Sequence, residues 1–89
     1  MTRREVEEKV STFIKRNYLF DENKSLDPKA SFIGTGVLDS TGILEMISYL
    51  EEDFHVTFAD DELTGENFDS VERVVAILMK KLQDNSASV

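Results

Sequence analysis

Ser40 is the residue best suited to chemistry in this sequence, because Asp39 precedes it and an amphipathic segment follows it. A serine becomes a catalytic nucleophile when a neighbouring base and an oxyanion hole activate its hydroxyl. The single histidine, His55, lies about one helix length further along the chain. No Gly-x-Ser-x-Gly pattern surrounds Ser40, and no lysine stands three residues after it. These residues do not favour self-contained catalysis, and we predict that the chain is not an enzyme.

The acidic residues that follow His55 do not form a recognisable metal site. One imidazole without any cysteine is a poor set of ligands for a transition metal. Counted from Asp60, Gly65 falls at the sixth position of an EF-hand loop. Val71, however, stands at the twelfth position, where a bidentate glutamate is required. We therefore predict no metal site.

A serine without activating neighbours fits better as the substrate of another enzyme. Asp39 is suited to cap a helix that begins at Ser40. The positive end of that helix would stabilise a phosphate ester formed on the hydroxyl. Phosphorylation by a kinase and attachment of a phosphate-linked group would use the same physics, so the residues alone leave the modification open.

Three segments that could position this serine repeat apolar residues at helical spacing. Thr2 and Glu5 form a capping-box pattern at the start of the first segment. The second segment follows Asp39, and either Asp69 or Ser70 caps the third. The apolar stripes are Val6, Val10, Phe13 and Ile14; Ile43, Leu44, Met46, Ile47, Leu50 and Phe54; and Val71, Val74, Val75, Leu78 and Leu82.

The connection between the first two helices, residues 19–38, is rich in turn-forming residues and has no sustained period. We expect Asp27–Ala30 to form a single helical turn within it. A short helix is expected around Leu63, ended by Gly65. The sequence thus predicts an all-α four-helix bundle with three main helices, one short third helix and a long loop between helices 1 and 2.

Composition narrows the class of protein. The 89 residues predict one domain, which we place at 1–83, followed by a disordered tail at 84–89. The net charge of −8, with no Lys or Arg between Ala30 and Glu72, argues against nucleic-acid binding and suits basic protein partners. The absence of cysteine, of a membrane-length apolar run and of a signal peptide predicts a cytoplasmic protein without a membrane span. We also expect the protein to be a monomer.

The segment from Asp39 to Phe54 resembles the acyl carrier protein family. In that family a Gly-x-Asp-Ser-Leu motif opens the second helix, and a hydrophobic-Glu-hydrophobic pattern continues to Leu-Glu-Glu-x-Phe. The match is ungapped over Asp39–Phe54. Helix order, the long first loop, acidic bias and length extend the resemblance over nearly the whole chain. The matching residues are Leu38-Asp39-Ser40, Leu44-Glu45-Met46-Ile47 and Leu50-Glu51-Glu52-Asp53-Phe54.

This resemblance implies that a 4′-phosphopantetheine arm is attached to Ser40. A separate phosphopantetheinyl transferase would use coenzyme A and Mg²⁺, and Asp39 matches the family aspartate that assists its metal-dependent recognition. The arm's thiol would carry an acyl or aminoacyl group as a thioester between ligase and synthase enzymes.

The resemblance also implies where those enzymes dock and where the carried group shelters. Enzymes with basic patches would contact Thr41, Glu45, Ser48, Glu51, Phe58, Asp60 and Asp61. The bundle interior would be lined by Leu44, Ile47, Leu50 and Phe68.

Departures from the family pattern favour a specialised carrier, aminoacyl or secondary-metabolic, over one for fatty-acid synthesis. Thr41 replaces the usual leucine after the serine, and Gly42 follows it. Ser48 stands where many fatty-acid carriers have an apolar residue, and Tyr49 is larger than usual. The alternative function is an acidic helical adaptor protein without a cofactor. A third possibility, less favoured by the residues, is a hydrolase that uses Ser40.

Overall fold

The computed structural model describes residues 2–21 and 23–87, with the backbone only for 84–87. No strand occurs in these ranges, so the predicted all-α bundle is confirmed. A π-helical turn at Lys15–Leu19 and a 3₁₀ turn at Asp60–Glu62 supplement the helices. The helices are α1 (Arg3–Ile14), α2 (Phe32–Thr35), α3 (Ser40–Phe54), α4 (Gly65–Phe68) and α5 (Val71–Ala87).

The start of α1 has the predicted capping box. Thr2 Oγ1 accepts a hydrogen bond from the Glu5 backbone at 3.2 Å, and Glu5 Oε1 accepts one from the Thr2 backbone at 3.3 Å. The π turn follows α1 directly and ends at Phe20, whose φ of 56° lies in the left-handed region. The connection was expected to begin at residue 19; α1 ends earlier, at Ile14, and the π turn continues the chain to Leu19.

The core forms where the apolar faces of α1, α3 and α5 meet. Both α1 and α4 pack against α5. The rings of Phe13 and Tyr49 stack between α1 and α3, with centroids 4.0 Å apart and planes at 7°. Burial of each large apolar side chain contributes about 1.5–3 kcal/mol. The fully buried side chains are Val6, Val10, Ile14, Phe32, Met46, Leu50, Phe68, Val71, Val74, Val75 and Leu78.

The short helix in the first long loop is α2, and it lies after the predicted position. Asp27–Ala30 is a turn, closed by a 3.1 Å hydrogen bond from the Ala30 backbone to the Asp27 carbonyl. Helix α2 forms instead because Ser31 Oγ caps it, accepting from the Gly34 backbone at 2.9 Å, and because Phe32 is buried in the core.

The segment before α5 also differs from the expectation. Glu62 accepts a hydrogen bond from the Ala59 backbone at 2.8 Å and closes the 3₁₀ turn. Leu63 follows that turn, and Gly65 begins α4 instead of ending a helix. Phe68 anchors α4 because its side chain is fully buried.

Ser70 caps the start of α5, and its Oγ accepts a hydrogen bond from the Arg73 backbone at 3.2 Å. Helix α5 extends to Ala87, so residues 84–87, assigned from the sequence to a disordered tail, are helical. The rest of that predicted tail, 88–89, lies outside the described residues. Within the described ranges, no helix is both long and apolar enough to cross a membrane.

Candidate functional site

Ser40 is the first residue of α3, and it is exposed. Asp39 caps the helix, since its Oδ1 accepts a hydrogen bond from the Gly42 backbone at 2.7 Å. Throughout the described ranges, no side chain is hydrogen-bonded to the Ser40 hydroxyl. The hydroxyl is thus presented at a helix start, where an attached phosphate group is electrostatically favoured.

The single histidine of the sequence is too far from Ser40 to activate it. His55 ends α3 at the opposite end, about 22 Å away at the helical rise of 1.5 Å per residue. Among the described residues, no group of three or more His, Cys, Asp or Glu could hold a metal ion. The geometry suits a hydroxyl that an external enzyme modifies.

Tyr18 covers the first turn of α3 beside this serine. Its hydroxyl donates to Glu45 Oε2 at 2.9 Å and lies 3.4 Å from the Gly42 carbonyl oxygen. Burial and the adjacent Glu45 carboxylate raise the pKa of Tyr18 to about 12. A β-carbon at Gly42 would lie 3.2 Å from Leu38 Cδ2 and 3.3 Å from Tyr18 Cε1, so glycine permits this close approach.

An apolar groove of about 260 Å³ opens next to Ser40. Leu44 is 66% exposed there, because it follows Ser40 by four residues and shares its outward face. The expectation that Leu44 lines the bundle interior is therefore wrong, whereas Ile47, Leu50 and Phe68 are buried as expected. The groove is lined by Ile33, Ser40, Ile43, Leu44, Ile47, Leu63, Thr64 and Gly65.

Five of the seven residues predicted to bind partners are accessible. Phe58 is only 4% exposed and packs edge-on against Phe68, with ring centroids 5.1 Å apart, so it is a core residue and not a contact residue. Glu51 is half-buried, and its Oε2 accepts a hydrogen bond from the Phe58 backbone at 3.0 Å. Glu51 therefore has a structural contact in addition to its charge. The exposed five are Thr41, Glu45, Ser48, Asp60 and Asp61.

Some acidic residues of the segment between Ala30 and Glu72, which contains no Lys or Arg, form ion pairs with lysines of α1 and α5. Asp53 Oδ2 lies 3.0 Å from Lys9 Nζ, and Glu62 Oε1 lies 2.6 Å from Lys81 Nζ. Lys81 and the Ala59 backbone lower the pKa of Glu62. The unpaired negative charge that partners could contact is consequently smaller than the number of Asp and Glu residues in this segment suggests.

Asp69 joins two segments that the sequence did not connect. Its Oδ2 accepts from Ser31 Oγ at 2.5 Å, its Oδ1 from the Ile33 backbone at 3.1 Å, and its carbonyl from the Phe32 backbone at 2.6 Å. The Ser31 and Ile33 hydrogen bonds lower the pKa of Asp69. From sequence, either Asp69 or Ser70 is expected to cap α5, and no local signal indicates that Asp69 contacts a serine 38 residues earlier.

Comparisons by sequence give no assignment: no family model and no curated protein matches the chain. Solved structures do match. One chain comes from the crystal structure of Bradyrhizobium japonicum glycine:[carrier protein] ligase complexed with cognate carrier protein and an analogue of glycyl adenylate. It is 27% identical with a TM-score of 0.65, over 88% of this chain and 96% of that one.

Two further structures support the same fold. The complex of the same ligase with glycylated carrier protein matches at 27% identity and a TM-score of 0.62, over 84% of this chain and 96% of that one. The crystal structure of an FAD-dependent dehydrogenase matches at 23% identity and a TM-score of 0.62, over 76% of this chain and 96% of that one. At this identity it bears on the fold alone. The two likenesses to the ligase complexes confirm the resemblance: the chain is an acyl carrier protein-like small helical protein.

Proposed function

We propose that the chain is a freestanding carrier protein, not itself an enzyme, that holds an acyl or aminoacyl group as a thioester on a 4′-phosphopantetheine arm attached to Ser40. The observation that carries this proposal is the exposed, unbonded Ser40 hydroxyl at the capped start of α3. The match to a carrier protein complex supports the same conclusion.

The residues around Ser40 fit the proposed arm. Its phosphodiester would lie at the start of α3, where backbone N–H groups favour a negative charge. The adjacent groove exposes Ile33, Leu44 and Leu63, which suit the non-polar part of the arm or a short carried group. The arm supplies the thiol that forms the thioester, and its length raises the concentration of the carried group at a docked enzyme.

Attachment of the arm requires a phosphopantetheinyl transferase. The Ser40 oxygen forms a bond to the β-phosphorus of coenzyme A, and the bond to the adenosine bisphosphate leaving group breaks. The serine proton passes to a base of the transferase, because no side chain of the described residues is hydrogen-bonded to the Ser40 hydroxyl. Asp39 caps α3 at the residue before the acceptor, and we propose that the Mg²⁺-dependent transferase recognises its carboxylate.

An aminoacyl cargo is the form of this function that we favour. Two of the matching structures contain a glycine:[carrier protein] ligase. The exposed Thr41 and Ser48 in place of apolar residues fit a different set of partners from fatty-acid enzymes. A loading ligase with a basic patch would meet the exposed Glu45, Asp60 and Asp61. The cytoplasmic location and the monomeric state stay predictions.

The test is intact-mass spectrometry after incubation with coenzyme A, Mg²⁺ and a broad-specificity phosphopantetheinyl transferase. One phosphopantetheine increment is expected on the wild type and none on Ser40→Ala. Thr41→Ala, which removes the neighbouring hydroxyl, should still be modified. If a control carrier is modified and the wild type is not, the proposal is wrong and the adaptor alternative gains support.

A further inference from the structure

The walls of the groove beside Ser40 come from parts of the chain far apart in sequence. Ile33 belongs to α2, while Leu63, Thr64 and Gly65 immediately precede or begin α4. The floor is the outward face of α3. A groove of this kind keeps its width only if α2 and α4 are held at a fixed separation.

Asp69 is the residue that holds them. It directly follows α4, and its side-chain oxygens and carbonyl accept the three hydrogen bonds from Ser31, Phe32 and Ile33 described above. Ser31 Oγ in turn accepts from the Gly34 backbone at 2.9 Å, so the same cluster also caps α2. Two of these three bonds, including the one from Ile33, end on the carboxylate, whereas the bond from the Phe32 backbone to the Asp69 carbonyl does not depend on the side chain.

Among the described residues, no other hydrogen bond joins Ile33 to α4 or to the residue that follows it. Glu72 donates a backbone hydrogen bond of 2.8 Å to the Pro28 carbonyl, but this fixes the loop before α2 and not Ile33. Phe32 is buried in the core and anchors α2 without orienting its outer side chain. Ile33 itself is 53% exposed, so packing alone holds it weakly.

We infer that Asp69 is a positioning residue for the Ser40 groove: by joining α2 to α4 it places Ile33 opposite Leu63 and so determines how well the groove covers a group carried on the arm. This inference rests on the proposed function. It assigns to Asp69 an effect on the carried group that is separate from its contribution to stability.

The experiment measures how well the folded protein protects a thioester. A transferase loads butanoyl-phosphopantetheine from butanoyl-coenzyme A onto the wild type, Asp69→Ala, Asp69→Asn and Thr2→Ala. Cleavage by hydroxylamine is then followed by intact mass, with free butanoyl-coenzyme A as the unprotected reference. Thr2→Ala is the control, because it removes the cap of α1 and lowers stability without touching the groove.

The wild type should react more slowly than butanoyl-coenzyme A. Asp69→Ala should react about fivefold faster than the wild type. A fivefold change is at the lower end of the effects that one site of a protein usually has on another. Asp69→Asn should retain most of the protection, since its amide can still accept from the Ile33 backbone and bond to Ser31. Thr2→Ala should react at the wild-type rate.

Two results overturn the inference while the proposed function stands: a loaded wild type that reacts as fast as butanoyl-coenzyme A, or Asp69→Ala indistinguishable from the wild type and Thr2→Ala. If circular dichroism shows that Asp69→Ala does not fold, Ser31→Ala takes its place, and its rate of hydroxylamine cleavage is compared with those of the wild type and Thr2→Ala. Failure of the wild type to gain a butanoyl-phosphopantetheine increment, when a control carrier does, refutes the proposed function itself.

Discussion

Gly42 and Tyr18 fit against each other at the first turn of α3, one on the helix that carries Ser40 and the other at the end of the π turn. A β-carbon at position 42 would lie 3.3 Å from Tyr18 Cε1, which is closer than an ordinary van der Waals contact. The Tyr18 hydroxyl also reaches past Gly42 to Glu45, so that a single aromatic side chain contacts α3 at two positions.

Gly42→Ala is expected to destabilise the fold despite the higher helix propensity of alanine. The new β-carbon would be 3.2 Å from Cδ2 of the buried Leu38 and 3.3 Å from Tyr18. Overpacking of about 1–3 kcal/mol, less a propensity gain of up to about 1 kcal/mol, should lower the free energy of unfolding by about 1 kcal/mol. Urea unfolding measures the change.

The matched control is Gly65→Ala at the start of α4, where a β-carbon would meet nothing within 4 Å. This variant should be neutral or more stable than the wild type. If both glycine variants change stability equally, the close approach at Gly42 is not what requires glycine there.

Tyr18 should make stability fall at high pH. Its pKa is raised from 10.0 to about 12 in the folded protein, so the neutral phenol stabilises the fold below pH 10. That contribution is lost as pH rises from about 10 to about 12. Tyr18→Phe should be less stable at neutral pH but lose less stability over this range. Urea unfolding at several alkaline pH values measures the difference, and parallel curves for the two proteins would contradict it.

Asp69 should contribute to loss of stability in acid. Hydrogen bonds from Ser31 and the Ile33 backbone lower its pKa from the ordinary value of 3.8, so the carboxylate stabilises the fold above that pH. The contribution disappears as pH falls below 3.8 and through the lowered pKa. In Asp69→Asn the free energy of unfolding should depend less steeply on pH in this range. An unchanged slope would show that the carboxylate does not titrate as its contacts indicate.

Glu51 should matter for stability before it matters for docking. Glu51→Ala removes the acceptor for the Phe58 backbone and is expected to cost about 1 kcal/mol, as usual for a hydrogen bond of this kind. Glu51→Gln keeps an acceptor and should be nearly as stable as the wild type. Thermal unfolding provides the comparison with Glu52→Ala, an exposed neighbour. Equal stability of Glu51→Ala and Glu52→Ala would exclude a structural role for Glu51.

The three long helices could be predicted from sequence because their apolar residues repeat at helical spacing and their caps are local. The capping box of Thr2 and Glu5 needs only residues three apart. The exposed position of Ser40 follows in the same way from Asp39 as N-cap. Local pattern was therefore sufficient for the serine and the helix that presents it.

The groove could not be predicted in this way, since its walls depend on contacts across the chain. The position of α2 is fixed by Asp69, whose partner Ser31 lies 38 residues earlier. Periodicity placed Leu44 on the apolar face of α3, yet that face is wider than the bundle covers, and Leu44 lies at its uncovered edge. For Phe58, an isolated aromatic in a connector gave no indication that Phe68 would enclose it.

The π turn at Lys15–Leu19 holds one residue more than a regular α-helical turn, so it changes the direction in which the side chains after it point. Deleting a residue from it would restore regular α-helix and rotate Tyr18 about 100° around the helix axis, away from Glu45. The buried stripe of α1 before the turn would keep its place against α5. The wider π turn therefore brings Tyr18 to the serine-bearing helix, while the stripe of α1 before the turn keeps regular α-helical spacing.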